Sequence, residues 1–339
     1  MPNSLVQKRL LEIIKKFSQR KVLVVGDVIA DKFIYGAISR VSREAPVLIL
    51  RHEQTETIPG GAANCAVNLA GLGARVFLLS ATGADETAQA LQTGLIASGV
   101  DCQGLLLSPE LQTTTKVRVL AGQLHSTRQQ VIRIDYDASS LTDTPVIRSI
   151  VSQIRERASD CDAIIISDYN YGVAGSEVIE TIRQTAKRES VPVFVDSRFD
   201  LTKFSGFNSA TPNEDEVEHI IGKVHADIEQ LAVSAEQLRK QLGFRALLVT
   251  RGSQGMLLLE EGLDPLNLAA VGGSEAVDVT GAGDTVIATY ALAVASGASF
   301  PDAARLANHA GGLVVMKRGT ASISSQDLEN SVLYSEAAS

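Results

Sequence analysis

Short apolar runs rich in β-branched residues recur along the chain at positions 22–25, 76–79, 163–166, 191–195 and 246–249, separated by stretches with helical periodicity. That alternation predicts a mostly parallel sheet covered by helices. Several runs end in a polar or glycine-bearing step: Gly26-Asp27, Ser167-Asp168, Asp196-Ser197 and Thr250-Arg251-Gly252. Ligands of open α/β sheets sit outside the carboxyl ends of the strands, so these exits point to one shared crevice.

Two segments break the rhythm, 45–52 and 113–134. In the second, Thr115, Val117, Val119 and Ala121 alternate with Lys116, Arg118 and Leu120, the period-2 pattern of a half-solvated strand. A hairpin around 122–129 follows, and a small antiparallel sheet is expected, inserted at about 32–52 and 112–136 as a lid over one domain spanning 1–339. Near the N-terminus Val6, Leu10, Ile13 and Phe17 recur at helical spacing after Ser4, a candidate N-cap. Lys8, Arg9, Glu12, Lys15 and Lys16 interrupt any secretory apolar stretch there. The longest apolar run, 286–295, carries Thr289 and is too short to span a bilayer. A cytoplasmic protein with no membrane partner is the expectation.

At 339 residues with 45% hydrophobic content, the chain has material for a large core. A formal charge of −8 in mixed signs gives no footprint for nucleic acid. Cys65, Cys102 and Cys161 lack metal or dithiol spacings and read as free thiols, and the histidines show no HxxxH or HExxH spacing.

The chemistry concentrates in Asp278-Val279-Thr280-Gly281-Ala282-Gly283-Asp284-Thr285, which runs directly into the apolar helical stretch. Glycines at a helix start bring backbone N–H groups and the positive dipole end close to an anion, with phosphate the natural guest. A carboxylate there is costly unless it has a chemical task, and phosphoryl transfer to an alcohol supplies one: accepting the hydroxyl proton. Taken alone, Asp284 reads equally well as a helix cap. The chain holds no GxxxxGK[ST] loop, and no GxGxxG opens its first helix, which removes P-loop ATPases and Rossmann dehydrogenases.

Joined to Gly60-Gly61-Ala62-Ala63-Asn64, the glycine-rich stretch resembles the paired signatures of the PfkB/ribokinase family of carbohydrate kinases. Thr211-Pro212-Asn213-Glu214-Asp215-Glu216 is similar to the family's NxxE element, and Thr250-Arg251-Gly252-Ser253-Gln254-Gly255 to its TxGxxG turn. The resemblance implies a ribokinase-like three-layer α/β/α sandwich with a small β-sheet lid. It implies an ATP-dependent kinase in which Asp284 is the base and the backbone of Gly281, Ala282 and Gly283 cradles the moving phosphoryl group. Asp27, Asp31, Gly60, Gly61 and Asn64 would then contact the sugar, with Asp168 nearby. Lys116, Arg118 and Arg133 would neutralise a phosphate on the substrate, a role for which a solvated strand face is the bland alternative. Thr250, Gly252, Gly255, Asp278, Thr280, Asn213 and Asn308 fall on the nucleotide side, and Asn213 and Glu216 on Mg²⁺, through water. A monovalent-cation requirement stays open.

Within the family, Val25-Gly26-Asp27-Val28, positions 39–47 and 129–135, and Ser167-Asp168-Tyr169 resemble the heptose-7-phosphate kinase branch. The implied substrate is D-glycero-D-manno-heptose 7-phosphate, phosphorylated at its anomeric hydroxyl. Two departures stand out: Tyr171 replaces the lysine of an SDYxKG block, and Asp196-Ser197-Arg198 replaces a DPKG-like exit, with Arg198 left to hold a phosphate. The nucleotidyltransferase domain of that branch's bifunctional members is not expected here. A kinase of different sugar choice, ribokinase-like or acting on fructose phosphate, and a catalytically silent sugar or nucleotide sensor remain as alternatives. The lid's strand edges offer a homodimer surface.

Overall fold

The computed structural model describes residues 2–122, 128–137, 141, 144–272, 276–317 and 319–334. Its strands are β1 (Lys21–Gly26), β2 (Val28–Val41), β3 (Leu48–Gly61), β4 (Arg75–Gly83), β5 (Asp101–Ser108), β6 (Thr115–Gly122), β7 (Gln129–Tyr136), β8 (Ala163–Asp168), β9 (Val193–Ser197), β10 (Ser209–Ala210), β11 (Ala246–Thr250), β12 (Met256–Glu260) and β13 (Leu266–Leu268). The helices are α1 (Pro2–Ile14), α2 (Ala62–Gly71), α3 (Glu86–Ala97), α4 (Thr144–Arg157), α5 (Ser176–Glu189), α6 (Glu214–Ile221), α7 (Ile228–Leu242), α8 (Ala282–Ala295), α9 (Phe300–Val314) and α10 (Ser325–Tyr334).

All five apolar runs contribute to strands of one nine-stranded sheet, ordered β13-β12-β11-β10-β9-β8-β1-β4-β5. Pairing is parallel from β5 to β11 and antiparallel at β12 and β13. Strand side chains point alternately to opposite faces. Val22 and Val24 therefore enter a core shared with α1, α2, α3, α8, α9 and α10, while Leu23 and Val25 enter a second core under α4 to α7. This is the ribokinase-like sandwich, with helices on both sides of the sheet. Burial on both faces is why the central strands read as continuous apolar runs.

The run at 286–295 is the body of α8, enclosed around Tyr290 from Val286 to Ala293. Among the described residues no helix is long and apolar enough to cross a membrane. Helix α1 starts at Pro2, which puts Ser4 inside the helix and not at its cap, and Phe17 falls in the short 3-10 turn that follows.

The second sheet, ordered β3-β2-β6-β7, is mixed where an antiparallel sheet was expected: β2 and β6 run parallel, with Asp31 opposite Lys116. The cause is topological. Strands β1 and β5 both belong to the parallel sheet, and each feeds a lid strand leaving from the same edge, so β2 and β6 run the same way. The lid pairing begins at Val28 and ends at Gly61, extending beyond the 32–52 span on both sides. Positions 123–127, where the predicted hairpin turns, lie outside the described residues.

Candidate active site

Helix α8 opens on Gly281, whose φ of 76° is left-handed. A Cβ there would stand 2.5 Å from Asn64 Nδ2, so both the conformation and the packing call for glycine. One turn on, Asp284 is 3% exposed. Its Oδ2 accepts from Asn64 Nδ2 at 2.8 Å, and its Oδ1 from the Tyr169 hydroxyl at 3.1 Å. Asn64 Nδ2 also donates to the Gly281 carbonyl at 3.3 Å. The two glycine-rich signatures, 217 positions apart, are thus hydrogen-bonded to each other.

Burial pushes the Asp284 carboxyl up to about 7, against the pull of Asn64 and Tyr169, and the charge of Asp31 adds to the rise. No cation among the described side chains bonds it. A carboxyl poised there is half ionised near neutrality, which suits a general base. Asp196, at the end of β9, is also raised well above its ordinary value, by burial and then by the charges of Asp284 and Glu216. It lies against the glycine loop, since a Cβ on Gly283 would be 3.9 Å from its Oδ2. Of the three cradle amides predicted, that of Ala282 is committed to the Val279 carbonyl at 3.2 Å.

Asp27 is built differently. Its carboxylate accepts from the backbone N–H groups of Tyr169 (2.9 Å), Tyr171 (3.0 Å) and Val173 (3.0 Å). It pins the loop that leaves β8, where the sequence reading had it contacting sugar hydroxyls. Asp168 is likewise turned to this loop, accepting from Asn170 N–H at 3.0 Å and the Ser197 hydroxyl at 2.8 Å. Gly60 and Gly61 make room for the protein itself: added Cβ atoms would meet Asp31 Oδ2 at 2.5 Å and the Asp27 carbonyl at 2.6 Å.

The lid face over this end is a net of paired charges. Arg118 is ion-paired to buried Asp31 and lies over the Phe33 ring. Lys116 reaches Asp137 at 2.7 Å, Asp135 at 3.2 Å and the Tyr171 hydroxyl at 3.0 Å. Arg133 forks onto Asp135 at 2.8 and 2.9 Å. Bonds and charges from Lys116 and Arg133 hold Asp135 and Asp137 below the usual carboxylate range. Burial nevertheless keeps Asp31 above its ordinary value despite Arg118. Arg198 is exposed beside Phe199, and its charge is felt at Tyr169 and Glu216.

On the other side of α8 lies a cavity of about 190 Å³ lined by Thr250, Gly252, Gly255, Gly283 and Asn308 together with apolar side chains. That mixture of apolar walls and glycine backbone suits a nucleotide base and its phosphates. Asn308 donates to the Ala269 carbonyl at 2.6 Å. Asp278 is spent on structure, accepting from Thr280 N–H and Gly319 N–H, both at 2.9 Å, which hold it below its ordinary value. Asn213 and Glu216 form a capping box at the start of α6, each side chain bonding the other's backbone N–H at 2.8 Å. Among the described residues no group of three or more His, Cys, Asp or Glu could hold a metal ion. An all-oxygen site reached through water and nucleotide phosphates is the mode Mg²⁺ favours, and Glu216 fits it.

A family model of pfkB carbohydrate kinases matches residues 19–327. The chain belongs to the pfkB family. It is 41% identical over 318 residues to the bifunctional protein HldE of Pseudomonas aeruginosa (strain UCBPP-PA14), covering 94% of this chain and 64% of that protein's length. Against HldE of Aliivibrio fischeri (strain MJ11) it is 40% identical over 317 residues, covering 93% and 64%. The chain therefore spans under two thirds of these curated relatives. A structure of Arabidopsis thaliana ribokinase complexed with ribose and ATP superposes with a TM-score of 0.70 at 21% identity, covering 94% of this chain and 99% of that one. Phosphofructokinase-2 of Escherichia coli in complex with potassium gives 0.73 at 17%, with the same coverage. These likenesses establish the shared fold.

This pfkB kinase thus transfers phosphoryl groups to a sugar hydroxyl. Tyr169, Asp196 and the Asp135–Asp137 pair were not among the predicted site residues. The first two occupy strand exits and fall within the Ser167-Asp168-Tyr169 and Asp196-Ser197-Arg198 stretches, the signals that marked them.

Proposed function

We propose that the chain phosphorylates D-glycero-D-manno-heptose 7-phosphate at its anomeric hydroxyl, using ATP with Mg²⁺. The observation that carries this reading is Asp284: a buried carboxyl raised to about 7, held by neutral donors at a helix N-terminus between the ion-paired lid and the apolar nucleotide cavity. The similarity to HldE supports the sugar.

Asp284 takes the proton of the attacking hydroxyl as its oxygen bonds to the γ-phosphorus; the bond to ADP breaks and ADP departs. Amides of the α8 start, Gly283 foremost, and the helix dipole stabilise charge on the phosphoryl oxygens. Thr250, Gly252, Gly255 and Asn308 border the nucleotide. Glu216, oriented by its capping box with Asn213, would hold Mg²⁺ through water, and the ion would supply neutralisation of phosphate charge. Lys116, Arg118 and Arg133 receive the substrate's own phosphate, and Asn64 and Asp31 its hydroxyls. The enzyme acts in the cytoplasm as a homodimer, with the exposed Ile132, Ile134 and Tyr136 of β7 in the contact.

The test is ADP release over a panel of sugars and sugar phosphates. Asp284→Asn is expected to bind ATP normally and to lose about two to four orders of magnitude in turnover. Near-normal turnover in that variant overturns the assignment of the base.

A further inference from the structure

We propose that Tyr169 is a positioning residue for the base: its hydroxyl, from the loop after β8, and the Asn64 amide, from α2, clamp the Asp284 carboxylate, one oxygen each. The inference rests on the reading of Asp284 as base. Both clamps are themselves fixed. The Tyr169 backbone N–H is tied to Asp27 Oδ2 at 2.9 Å, and its loop is closed by the Tyr171 and Val173 amides on the same carboxylate and by Asn170, left-handed at φ 64°. On the other side Asn68 Nδ2 donates to Asn64 Oδ1 at 3.1 Å, and Asn68 Oδ1 accepts from the Thr285 hydroxyl at 3.0 Å. Asn64 must then present its Nδ2, not its oxygen, to Asp284.

The choice of neutral donors matters chemically. A lysine or arginine in the place of Tyr169 would hold the carboxylate far below neutrality and weaken it as a base. A phenol orients it and leaves that basicity largely intact. Burial and the charges of Asp284 and Asp196 drive the Tyr169 hydroxyl well above its ordinary range, so it stays a donor at every working pH. Each carboxylate oxygen accepts one bond from the clamp and keeps a second lone-pair direction for the substrate hydroxyl. The other groups facing this carboxyl are Asp31 from the lid, Asp196 from β9 and Cys65 on α2, with Arg198 beyond Tyr169.

Tyr169→Phe keeps the ring and removes only the donor. The acid limb of kcat/KM for the sugar is expected to move up by about one pH unit, because a bond to the ionised form is lost. ATP affinity stays the same. An infrared titration of the protonated carboxyl band that vanishes in Asp284→Asn reads the same shift without substrate. An equal loss of activity at every pH, with limb and band midpoint unmoved, overturns the proposal. If Tyr169→Phe does not fold, a fluorinated tyrosine at 169, a stronger donor of the same shape, must move the midpoint down; no movement again overturns it. Should Asp284→Asn keep its turnover, the base assignment fails, while the infrared midpoint still reports separately whether Tyr169 holds the carboxyl.

Discussion

The two ends of the cleft hold carboxylates under opposite electrostatic regimes. At the lid, Asp31, Asp135 and Asp137 face Arg118, Lys116 and Arg133, anion against cation. At the start of α8, Asp284 faces neutral donors and neighbouring acids. At the lid the cations hold Asp135 and Asp137 below the ordinary carboxylate range, and only Asp31, deeper in the fold, stays raised by burial against the pull of Arg118. An uncompensated carboxyl wants a proton. On the proposed function the same residue type serves recognition at one end and proton transfer at the other, and the difference lies in the partners supplied by distant parts of the chain.

If that contrast is right, removing a charge has opposite signs at the two ends. The largest effect is expected at the lid. Arg118→Ala leaves Asp31 buried and short of its partner, a loss of about 3–5 kcal/mol by the precedent of broken buried pairs. Lys116 and Arg133 still act on Asp31, which favours the lower figure. The double variant Asp31→Asn with Arg118→Met removes both charges and is expected to recover most of the loss. Urea denaturation measures both, and a loss under about 1 kcal/mol in Arg118→Ala would remove the distinction between the ends.

At the base the sign reverses. The folded carboxyl of Asp284 titrates at about 7 against an ordinary 3.8. Between those values the folded state binds more protons than the unfolded chain, so stability falls as pH rises from about 4 to about 7 and is level above that. Asp284→Asn deletes this dependence. At pH 8 the variant is expected to exceed the wild type by about 2–4 kcal/mol, with the gain shrinking toward pH 4. Denaturation at several pH values reads the slope, and a gain that does not change with pH contradicts it.

How far the sequence alone reaches follows the same division. The buried parallel strands β1, β4, β8, β9 and β11 were readable because enclosure on both faces demands apolar runs. The direction of β6 against β2 was not, since period-2 alternation carries no information on whether neighbours run parallel. Asp284 and Asn64 are singled out by glycine-rich patterns that leave a local trace. The partnership of Tyr169 with Asp284 spans 115 positions and leaves none. The hold of Asp27 on the loop after β8 was not legible for a related reason: its partners there are backbone N–H groups, which every residue but proline has. Asp135 and Asp137 were passed over because charges on a strand face look like ordinary solvated side chains until the fold sets Lys116 and Arg133 between them.

The smallest stability effect is the one that speaks to the sugar. Arg133 is 46% exposed and its partner Asp135 34%, so their pair contributes at most about 1 kcal/mol, and Arg133→Ala is expected to melt nearly as the wild type. Lys116, 13% exposed, is held by two carboxylates and the Tyr171 hydroxyl, whereas Arg133 sits where solvent, or a phosphate, can replace its partner. A guanidinium trading one carboxylate for a phosphate keeps its forked geometry and gains charge. Arg133→Ala should therefore raise KM for heptose 7-phosphate about tenfold, the worth of one charge-assisted hydrogen bond, and leave KM for the unphosphorylated heptose unchanged. Equal changes for both sugars would mean that the lid cations serve the protein's own acids, and that the substrate brings no phosphate to them.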